Sequence, residues 1–236
     1  MLNNQAPEPQ VKGDGHVLDL HSVFLTIQGE GPFAGRPAVF VRLAGCNLQC
    51  PGCDTEYTKG RRLVDDQMIL FEVDKARAGH PATLVVITGG EPLRQNIAPL
   101  CALLALSGYE VQIESNGVFP VSEELAVLLR ASPVHLIVSP KTHRVSDSAA
   151  HHAMAFKYVL QAGEIDLDGL PLRALQHKAA PRVARPPKTF KGPIYVNPMD
   201  SQDEVLNEAN MRATVASAMH FGHTLGLQLH KIIEMP

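Results

Sequence analysis

The stretch AVFVRLAGCNLQCPGCDT (residues 38–55) joins a predicted strand, residues 38–45, to a loop that carries three cysteines. The strand is a short, almost wholly apolar run, as expected of a parallel strand covered on both faces. Cys46, Cys50 and Cys53 follow it directly, although the chain of 236 residues has only four cysteines. In α/β barrels the chemistry lies in loops at the carboxyl ends of strands. The stretch therefore predicts both the fold class and the place of the functional site.

Five further segments are predicted strands, most of them short and nearly continuous apolar runs, and helical patterns lie between them. The other predicted strands are residues 83–90, 110–117, 135–140, 155–161 and 193–200. The predicted helices are residues 65–79, 94–108, 121–132, with Ser122 as N-cap, and 200–222. Right-handed crossovers curl such βα units towards a barrel, but six are too few for a full one of eight strands. We predict an α/β fold that is a partial, about six-stranded parallel β/α barrel.

Composition limits the classes of function. With 45% hydrophobic residues the chain can bury a substantial core, and its net charge of -3 gives no argument for a nucleic-acid or membrane partner. Neither a signal-peptide pattern nor an apolar run of about 18 residues is present. We therefore expect a soluble cytoplasmic protein, in which clustered thiols bind metal or do chemistry. Residues 1–16 are polar and predict a mobile lead-in, and residues 17–236 a single domain.

The segment 171–193 departs from the alternating pattern. It has six lysines and arginines, five prolines and no acidic residue. A charged run of this kind is typical of a solvated surface insertion, and the alternative is a docking patch for an acidic partner. We predict the insertion.

Three clustered thiols are one ligand short of a structural zinc site, which normally has four. They can hold three irons of a four-iron cluster, since each iron normally takes one cysteine, and the fourth iron then stays open to another ligand. Cys101 lies among leucines and is expected to be a small buried hydrophobic residue. The 11 histidines are scattered, and we read them as surface and capping residues rather than a metal site. A non-catalytic iron–sulfur or zinc-binding module remains an alternative, and it predicts a fourth protein ligand.

Two motifs together resemble the radical S-adenosylmethionine (SAM) enzymes. The first is the three-cysteine loop, and the second is Gly-Gly-Glu-Pro at residues 89–92, after the next predicted strand. The wider sequence resembles the 7-carboxy-7-deazaguanine synthase family of that superfamily. The matching segments, in the family's order, are residues 24–55, ESNG (114–117), SPK (139–141), NPMD (197–200) and LQLHKII (227–233). The resemblance covers about residues 20 to 236.

This resemblance implies an activity, cofactors and partners. The family is a carbon–nitrogen lyase of queuosine and 7-deazapurine biosynthesis, which converts 6-carboxy-5,6,7,8-tetrahydropterin to 7-carboxy-7-deazaguanine with release of ammonia. A 5′-deoxyadenosyl radical abstracts hydrogen at C6, and magnesium assists the ring contraction. The implied cofactors are a 4Fe-4S cluster, SAM and Mg²⁺, and the implied partners are a flavodoxin or ferredoxin and a second copy in a homodimer. The closest alternative is another radical SAM enzyme, such as a glycyl-radical activase that docks a protein substrate.

The resemblance also assigns roles residue by residue. Cys46, Cys50 and Cys53 ligate the cluster, and Thr55 supplies an oxygen to magnesium. The SAM residues are Gly52, Cys53, Asp54, Gly90, Glu91, Ser115, Ser139, Pro140, Lys141, Asn197, Pro198, Met199 and Asp200. The substrate residues are Ile27, Gln28, Gly29, Arg42, Thr88 and Pro236. Arg42 has a rationale of its own, because a guanidinium pairs bidentately with a carboxylate.

Each motif alone also has a plain structural reading. TIQGEG (26–31) could be a glycine-rich turn, and Gly89–Gly90 a tight turn between a strand and a helix. Arg42 could pair with an acid on a neighbouring strand, and residues 197–200 could form an ordinary turn. The joint occurrence of the motifs in one βα frame favours the functional reading.

Overall fold

A computed structural model describes residues 3–176 and 181–235 of the chain. Its strands are β1 (Val17–Ile27), β2 (Pro37–Leu43), β3 (Arg62–Asp65), β4 (Leu84–Gly89), β5 (Glu110–Ser115), β6 (Val134–Val138), β7 (Ala153–Leu160), β8 (Ile194–Pro198) and β9 (Thr224–Leu225). Within the described residues they form one sheet in the order β3-β1-β2-β4-β5-β6-β7-β8-β9. The six predicted strands correspond to β2 and β4–β8, which pair in parallel throughout. The prediction of a partial parallel barrel is confirmed.

Several of the helices begin at a polar residue whose side chain caps the first turn. They are α1 (Asp66–Arg77), α2 (Ala98–Leu106), α3 (Glu123–Ala131), α4 (Asp147–His152), α5 (Glu204–Phe221) and α6 (Leu229–Ile232). Asp65, Ser122 and Asp203 each accept a hydrogen bond from the backbone three residues on, which caps α1, α3 and α5. In the described ranges, none of the helices is both long and apolar enough to cross a membrane.

An antiparallel ribbon precedes the parallel strands, and the sequence did not predict it. Strand β1 pairs antiparallel with β2 on one side and with β3 on the other. Residues 28–36 connect β1 to β2 without an α-helix, and so short a connection suits an antiparallel pair, since parallel strands need a crossover of a dozen residues or more. The ribbon pairs the first two residues of the TIQGEG segment with the start of β2, the strand that leads into the cysteine loop.

Charged side chains show how strongly the sheet curves. Lys157 of β7 contacts Glu114 of β5 at 2.5 Å, over the intervening strand β6. The same ammonium contacts Glu30, which follows β1, also at 2.5 Å. These contacts require the inner faces of distant strands to converge on one interior. The sheet therefore encloses a lumen, as a partial barrel does.

Apolar residues are divided between the two faces of this curved sheet. The larger core lies between the sheet and its helices and includes Val39, Val41, Ile87 and Ile113. A smaller cluster of Phe33, Ala38, Leu84 and Val86 is packed separately. Beyond this small cluster, polar residues at the carboxyl ends of the strands line the lumen of the sheet.

The carboxyl-terminal segment lies against the end of β1. The backbone N–H of Leu229 donates to the Gly29 carbonyl oxygen over 3.2 Å, and the Gln228 side chain donates to Glu30 over 2.8 Å. A Cβ at Gly29 would lie only 2.1 Å from His230 Nδ1. Helix α6 thus spans the seam that an incomplete barrel leaves open.

The basic segment 171–193 follows a run of acidic residues. Its arginines form the ion pairs Arg173–Glu164, Arg182–Asp166 and Arg185–Asp168. Lys178 lies outside the described residues. These pairs reduce the free positive charge that a docking patch for an acidic partner would need.

Candidate active site

A cavity of about 1000 Å³ opens at the carboxyl ends of the parallel strands. The predicted site residues that line it are Ile27, Gln28, Arg42, Cys46, Cys50, Gly52, Cys53, Asp54, Thr55, Thr88, Gly90, Ser115, Ser139, Lys141, Met199 and Asp200. These residues range from Ile27 to Asp200 in the sequence, so the fold brings nearly all of the motifs together at one cavity. The volume is at the upper end for small-molecule sites, which leaves room for more than one ligand.

The three cysteines of the loop line one cavity and are free thiols. Burial raises the pKa of Cys46 to about 12 and that of Cys50 to about 11. Within the described ranges, no three His, Cys, Asp or Glu side chains converge where a single metal ion could bind. A four-iron cluster does not require such convergence, because each thiolate ligates a different iron.

The Gly-Gly-Glu-Pro turn approaches the cysteine loop at backbone distance. The backbone N–H of Glu91 donates to the Gly45 carbonyl oxygen over 2.9 Å. A Cβ on Gly90 would lie 2.1 Å from that same oxygen and 2.9 Å from the Cβ of Cys46. Gly89 has φ +142°, and a Cβ there would meet the backbone of Leu43. The two glycines are therefore required by close packing of the turn against the start of the cysteine loop.

Replacing Gly90 by alanine is expected to destabilise the protein by about 1–3 kcal/mol, because the methyl group would press on backbone that cannot rotate away. Urea denaturation of the protein without cofactors measures this directly. Gly13→Ala is the matched control: nothing lies within 4 Å of its Cβ position, so its free energy of unfolding should change by less than about 0.5 kcal/mol. Equal stability of Gly90→Ala and the control would contradict the close approach seen here.

Glu91 lies behind the cavity wall and organises the next strand end. Its carboxylate accepts hydrogen bonds from the Ser115 hydroxyl at 2.6 Å, from the Asn116 backbone N–H at 2.7 Å and from the Leu93 backbone N–H at 2.9 Å. Burial raises the pKa of Glu91 although these donors oppose it. Glu91 thus couples the Gly-Gly-Glu-Pro motif to the ESNG motif.

Two cations face the cavity. Lys141 donates to the backbone and side-chain oxygens of Ser139, at 2.8 and 2.5 Å, and burial lowers its pKa. The guanidinium of Arg42 lies over the ring of Phe24, 5.2 Å from its centroid. Its Nε is buried and has no hydrogen-bond partner among the described residues, and burial lowers its pKa although Asp54 and Cys53 oppose this. Both are placed to meet anionic groups of a ligand.

Some predicted site residues do not line this cavity. They are Gly29, Glu91, Pro140, Asn197 and Pro198, while Pro236 lies outside the described residues. Asn197 is fully buried, and its side-chain nitrogen and oxygen have no partner in the part of the chain that the structure describes. Its assignment to SAM stays a prediction.

Several residues of the cavity wall were missed from the sequence. Glu30, Glu114 and Lys157 form the buried ion cluster described above, and Gln28 donates to Glu114 over 3.1 Å. Lys157 interrupts the otherwise largely apolar strand β7, and Glu114 is one of the polar residues that alternate along β5. Charge within a parallel strand is the signal that could have identified them, because a charged residue inside a buried strand faces either a partner or a site.

Two further contacts reach the cysteine loop and the end of β8. Lys231 of α6 contacts Asp54 at 3.0 Å and Asp200 at 3.1 Å. The backbone N–H of Gly52 donates to the carbonyl oxygen of Leu175 over 3.0 Å, so the basic segment reaches the site. Leu175 has a left-handed φ of +46°. No sequence pattern predicted the ion pairs of Lys231 or the hydrogen bond between Gly52 and Leu175.

The residues present fit a cluster and SAM. Three thiols, Gly90, Ser139 and Lys141 line the same cavity. Thiolate donors suit iron–sulfur clusters, and a cationic side chain such as that of Lys141 can pair with a carboxylate of a bound ligand. The fit rests on this donor set and on the space available.

Comparisons with known proteins agree with these motifs. The sequence profile of the Radical SAM superfamily matches residues 41–157. The chain is 40% identical to 7-carboxy-7-deazaguanine synthase of Rhodospirillum rubrum, over 98% of this chain and 97% of that protein. It is 30% identical to the enzyme of the same name from Escherichia coli, over 92% of this chain and 98% of that protein. The crystal structure of QueE from Escherichia coli is similar, with a TM-score of 0.65 and 22% identity over 90% of this chain and 94% of that one, and it shares the fold.

Proposed function

Because the chain belongs to the 7-carboxy-7-deazaguanine synthase family of radical SAM enzymes, we propose that it converts 6-carboxy-5,6,7,8-tetrahydropterin to 7-carboxy-7-deazaguanine and ammonia. The observation that carries the proposal is that one cavity is lined by three thiols, by Gly90 and by Arg42, whose buried Nε has no hydrogen-bond partner among the described residues. This reaction needs ligands for the cluster, a wall that binds SAM and a partner for the substrate carboxylate in one place. The superfamily implies both the 4Fe-4S cluster and SAM.

In the proposed site, Cys46, Cys50 and Cys53 hold the cluster. When bound there, the cluster and SAM would supply the radical chemistry for hydrogen abstraction at C6 through a 5′-deoxyadenosyl radical. The chain's own contribution is to orient and shield. The residues proposed to hold SAM are Gly52, Cys53, Asp54, Gly90, Glu91, Ser115, Ser139, Pro140, Lys141, Asn197, Pro198, Met199 and Asp200. Glu91 acts by fixing Ser115, whose hydroxyl it holds at 2.6 Å.

The substrate is proposed to lie in the same cavity with its carboxylate at Arg42. The buried Nε of Arg42 has no hydrogen-bond partner among the described residues, and a guanidinium pairs bidentately with a carboxylate. Ile27, Gln28, Gly29 and Thr88 would surround the ring. A pterin also presents N–H donors along its pyrimidine edge, and Glu114 offers a carboxylate acceptor on the same cavity wall. Pro236, outside the described residues, remains a proposed contact.

Magnesium is proposed to bind at Thr55. Thr55 lines the cavity directly after the three cysteines, and a hard cation prefers oxygen ligands such as a hydroxyl, together with waters and a substrate carboxylate. In that place the ion would stabilise negative charge during the ring contraction.

The remaining proposals concern assembly. We propose a single domain over residues 17–236, a homodimer, a flavodoxin or ferredoxin as electron donor, and a cytoplasmic location. Support for the dimer comes from the family and from the edge strands β3 and β9, since exposed edges favour coverage. Sedimentation in the reconstituted state measures the assembly directly.

The test is an anaerobic assay. The reconstituted protein receives SAM, magnesium, a reductant and 6-carboxy-5,6,7,8-tetrahydropterin, and mass spectrometry follows the pterin. The expected result is 7-carboxy-7-deazaguanine without net consumption of SAM and without any protein substrate. Cleavage of SAM with an untouched pterin would instead favour another radical SAM activity, such as a glycyl-radical activase. An intact cluster that never cleaves SAM would favour a non-catalytic module.

A further inference from the structure

The amino-terminal segment, residues 3–14, lies along the cysteine loop. Its backbone N–H groups donate from Asn3 to the Pro51 carbonyl oxygen over 3.0 Å and from Glu8 to that of Cys46 over 2.7 Å. Cys46 carries the first cluster thiol, and Pro51 lies between the second and the third. The segment therefore contacts the loop within the ligand motif itself, where the sequence predicts only a mobile lead-in.

The side chain of Gln5 secures the far end of the loop. Its Nε2 donates to the Thr55 carbonyl oxygen over 2.9 Å, and its Oε1 accepts from the Tyr57 backbone N–H over 2.9 Å. The Gln5 amide thus bonds the Thr55 carbonyl oxygen and the Tyr57 N–H, which lie on either side of Glu56. Tyr57 is buried, and its carbonyl oxygen accepts from the Gly45 N–H, so the two ends of the cysteine loop are hydrogen-bonded to each other. Gln5 binds the loop at this point.

Glu8 connects the same segment to the Gly-Gly-Glu-Pro turn. Its carboxylate contacts Arg61 at 2.6 Å and Arg94 at 3.3 Å. The Arg94 side chain is 3% exposed and also donates to the Ala44 carbonyl oxygen over 3.0 Å, one residue before the loop's glycine. This arginine links the segment, the start of the cysteine loop and the second motif.

We infer that residues 3–14 act as a strap that holds the cysteine loop in its cluster-binding shape, with Gln5 and Glu8 as positioning residues. Residues 44–61 contain neither helix nor strand, so the loop cannot fix three thiols through regular hydrogen bonding of its own. The strap contacts residues 46, 51, 55 and 57, which extend from the first cysteine to beyond the third. A loop held at these points loses less conformational entropy when the cluster binds. We therefore expect the loop to retain the cluster more tightly. The inference rests on the proposed ligation by Cys46, Cys50 and Cys53.

The test compares Gln5→Leu with Lys12→Leu, which changes an exposed side chain of the same strap. Both proteins are reconstituted, and the loss of visible cluster absorbance to an iron chelator is timed anaerobically. Gln5→Leu should lose iron about tenfold faster than the wild type, as expected for two lost hydrogen bonds, and Lys12→Leu at the wild-type rate. Gln5→Glu keeps the acceptor for Tyr57 but not the donor to Thr55, and its rate should lie between.

The thermal midpoint of the protein without cofactors separates positioning from general stability. We expect Gln5→Leu to unfold within a few degrees of the wild type while its cluster is lost faster. Equal iron loss by Gln5→Leu and the wild type would overturn the strap, as would equal acceleration by Lys12→Leu. If the wild-type protein itself takes up no cluster, the proposed ligation fails, and that outcome is distinguishable because it appears before any variant is compared.

Discussion

Cys50→Ala is expected to leave a protein that folds but neither retains a 4Fe-4S cluster nor turns over the pterin. Cys50 is 6% exposed and faces the cavity from the middle of the three-cysteine motif. Each cluster iron takes one thiolate, so this change leaves two irons without a protein ligand instead of one. Loss of groups that merely orient metal ligands costs 10–100-fold, and loss of a ligand itself should exceed about 100-fold in turnover. Iron content, visible absorbance and product formation measure the effect.

Cys101→Ala is the matched control, because it makes the same chemical change elsewhere in the chain. Cys101 is fully buried on α2 within the larger core, and burial strongly raises the pKa of its thiol. Its replacement should cost about 1 kcal/mol of stability, as a small cavity does, and leave the cluster in place. A Cys101→Ala protein that loses its cluster, beside a Cys50→Ala protein that keeps it, would reverse the assignment of the thiols.

The parallel strands were predictable because their sequences carry the pattern physically. A strand covered on both faces must be apolar along its length, and residues 38–45 and 83–90 have this pattern. The predicted ends of these two strands differ from the observed ends of β2 and β4 by one or two residues. Strand β1 was not assigned, since polar residues such as Asp19 and Ser22 interrupt its apolar pattern. Its place follows from the short connection to β2, which is a property of topology rather than of composition.

The sequence predicted those residues of the candidate site that belong to short local motifs with a characteristic chemistry. Cysteines at fixed spacing and a glycine pair after a strand identify themselves locally. The strap contacts of Gln5 and the carbonyl of Leu175 depend on backbone groups and on chain segments far apart in sequence, so no residue type signals them. The same holds for Lys231, whose partners lie 177 and 31 residues away.

Lys157→Met is expected to destabilise the protein by about 3–5 kcal/mol, the usual result of removing one partner from a buried ion cluster. The Lys157 side chain is 6% exposed and contacts both Glu30 and Glu114 at 2.5 Å. Methionine fills similar volume but leaves two partly buried carboxylates without a cation. Adding Glu114→Gln removes one of these charges, so the double variant should recover part of the loss, and the two changes should not add. Urea denaturation measures all three proteins.

The pH dependence of this cost distinguishes lost charge pairing from lost packing. Burial alone would raise the pKa of Glu30, but the charge and hydrogen bonds of Lys157, with Gln228, lower it from its ordinary 4.5 to about 2. Glu30 therefore contributes stability that is complete above about pH 4.5 and is lost as the pH falls towards 2. Burial would lower the pKa of Lys157, but Glu114 and Glu30 raise it above its ordinary 10.5, so its contribution persists up to that pH and fades only above it. The difference between wild type and Lys157→Met should be largest between neutral pH and about pH 10. It should narrow as the pH falls, because burial without the cation raises the pKa of Glu30 in the variant, while the wild type loses its own contribution below about pH 4.5. Lys59→Met, which changes an exposed lysine, should differ from the wild type by less than about 0.5 kcal/mol throughout. A Lys157→Met deficit that stays constant down to pH 3 would mean that the methylene packing of Lys157, rather than its charge, stabilises the interior.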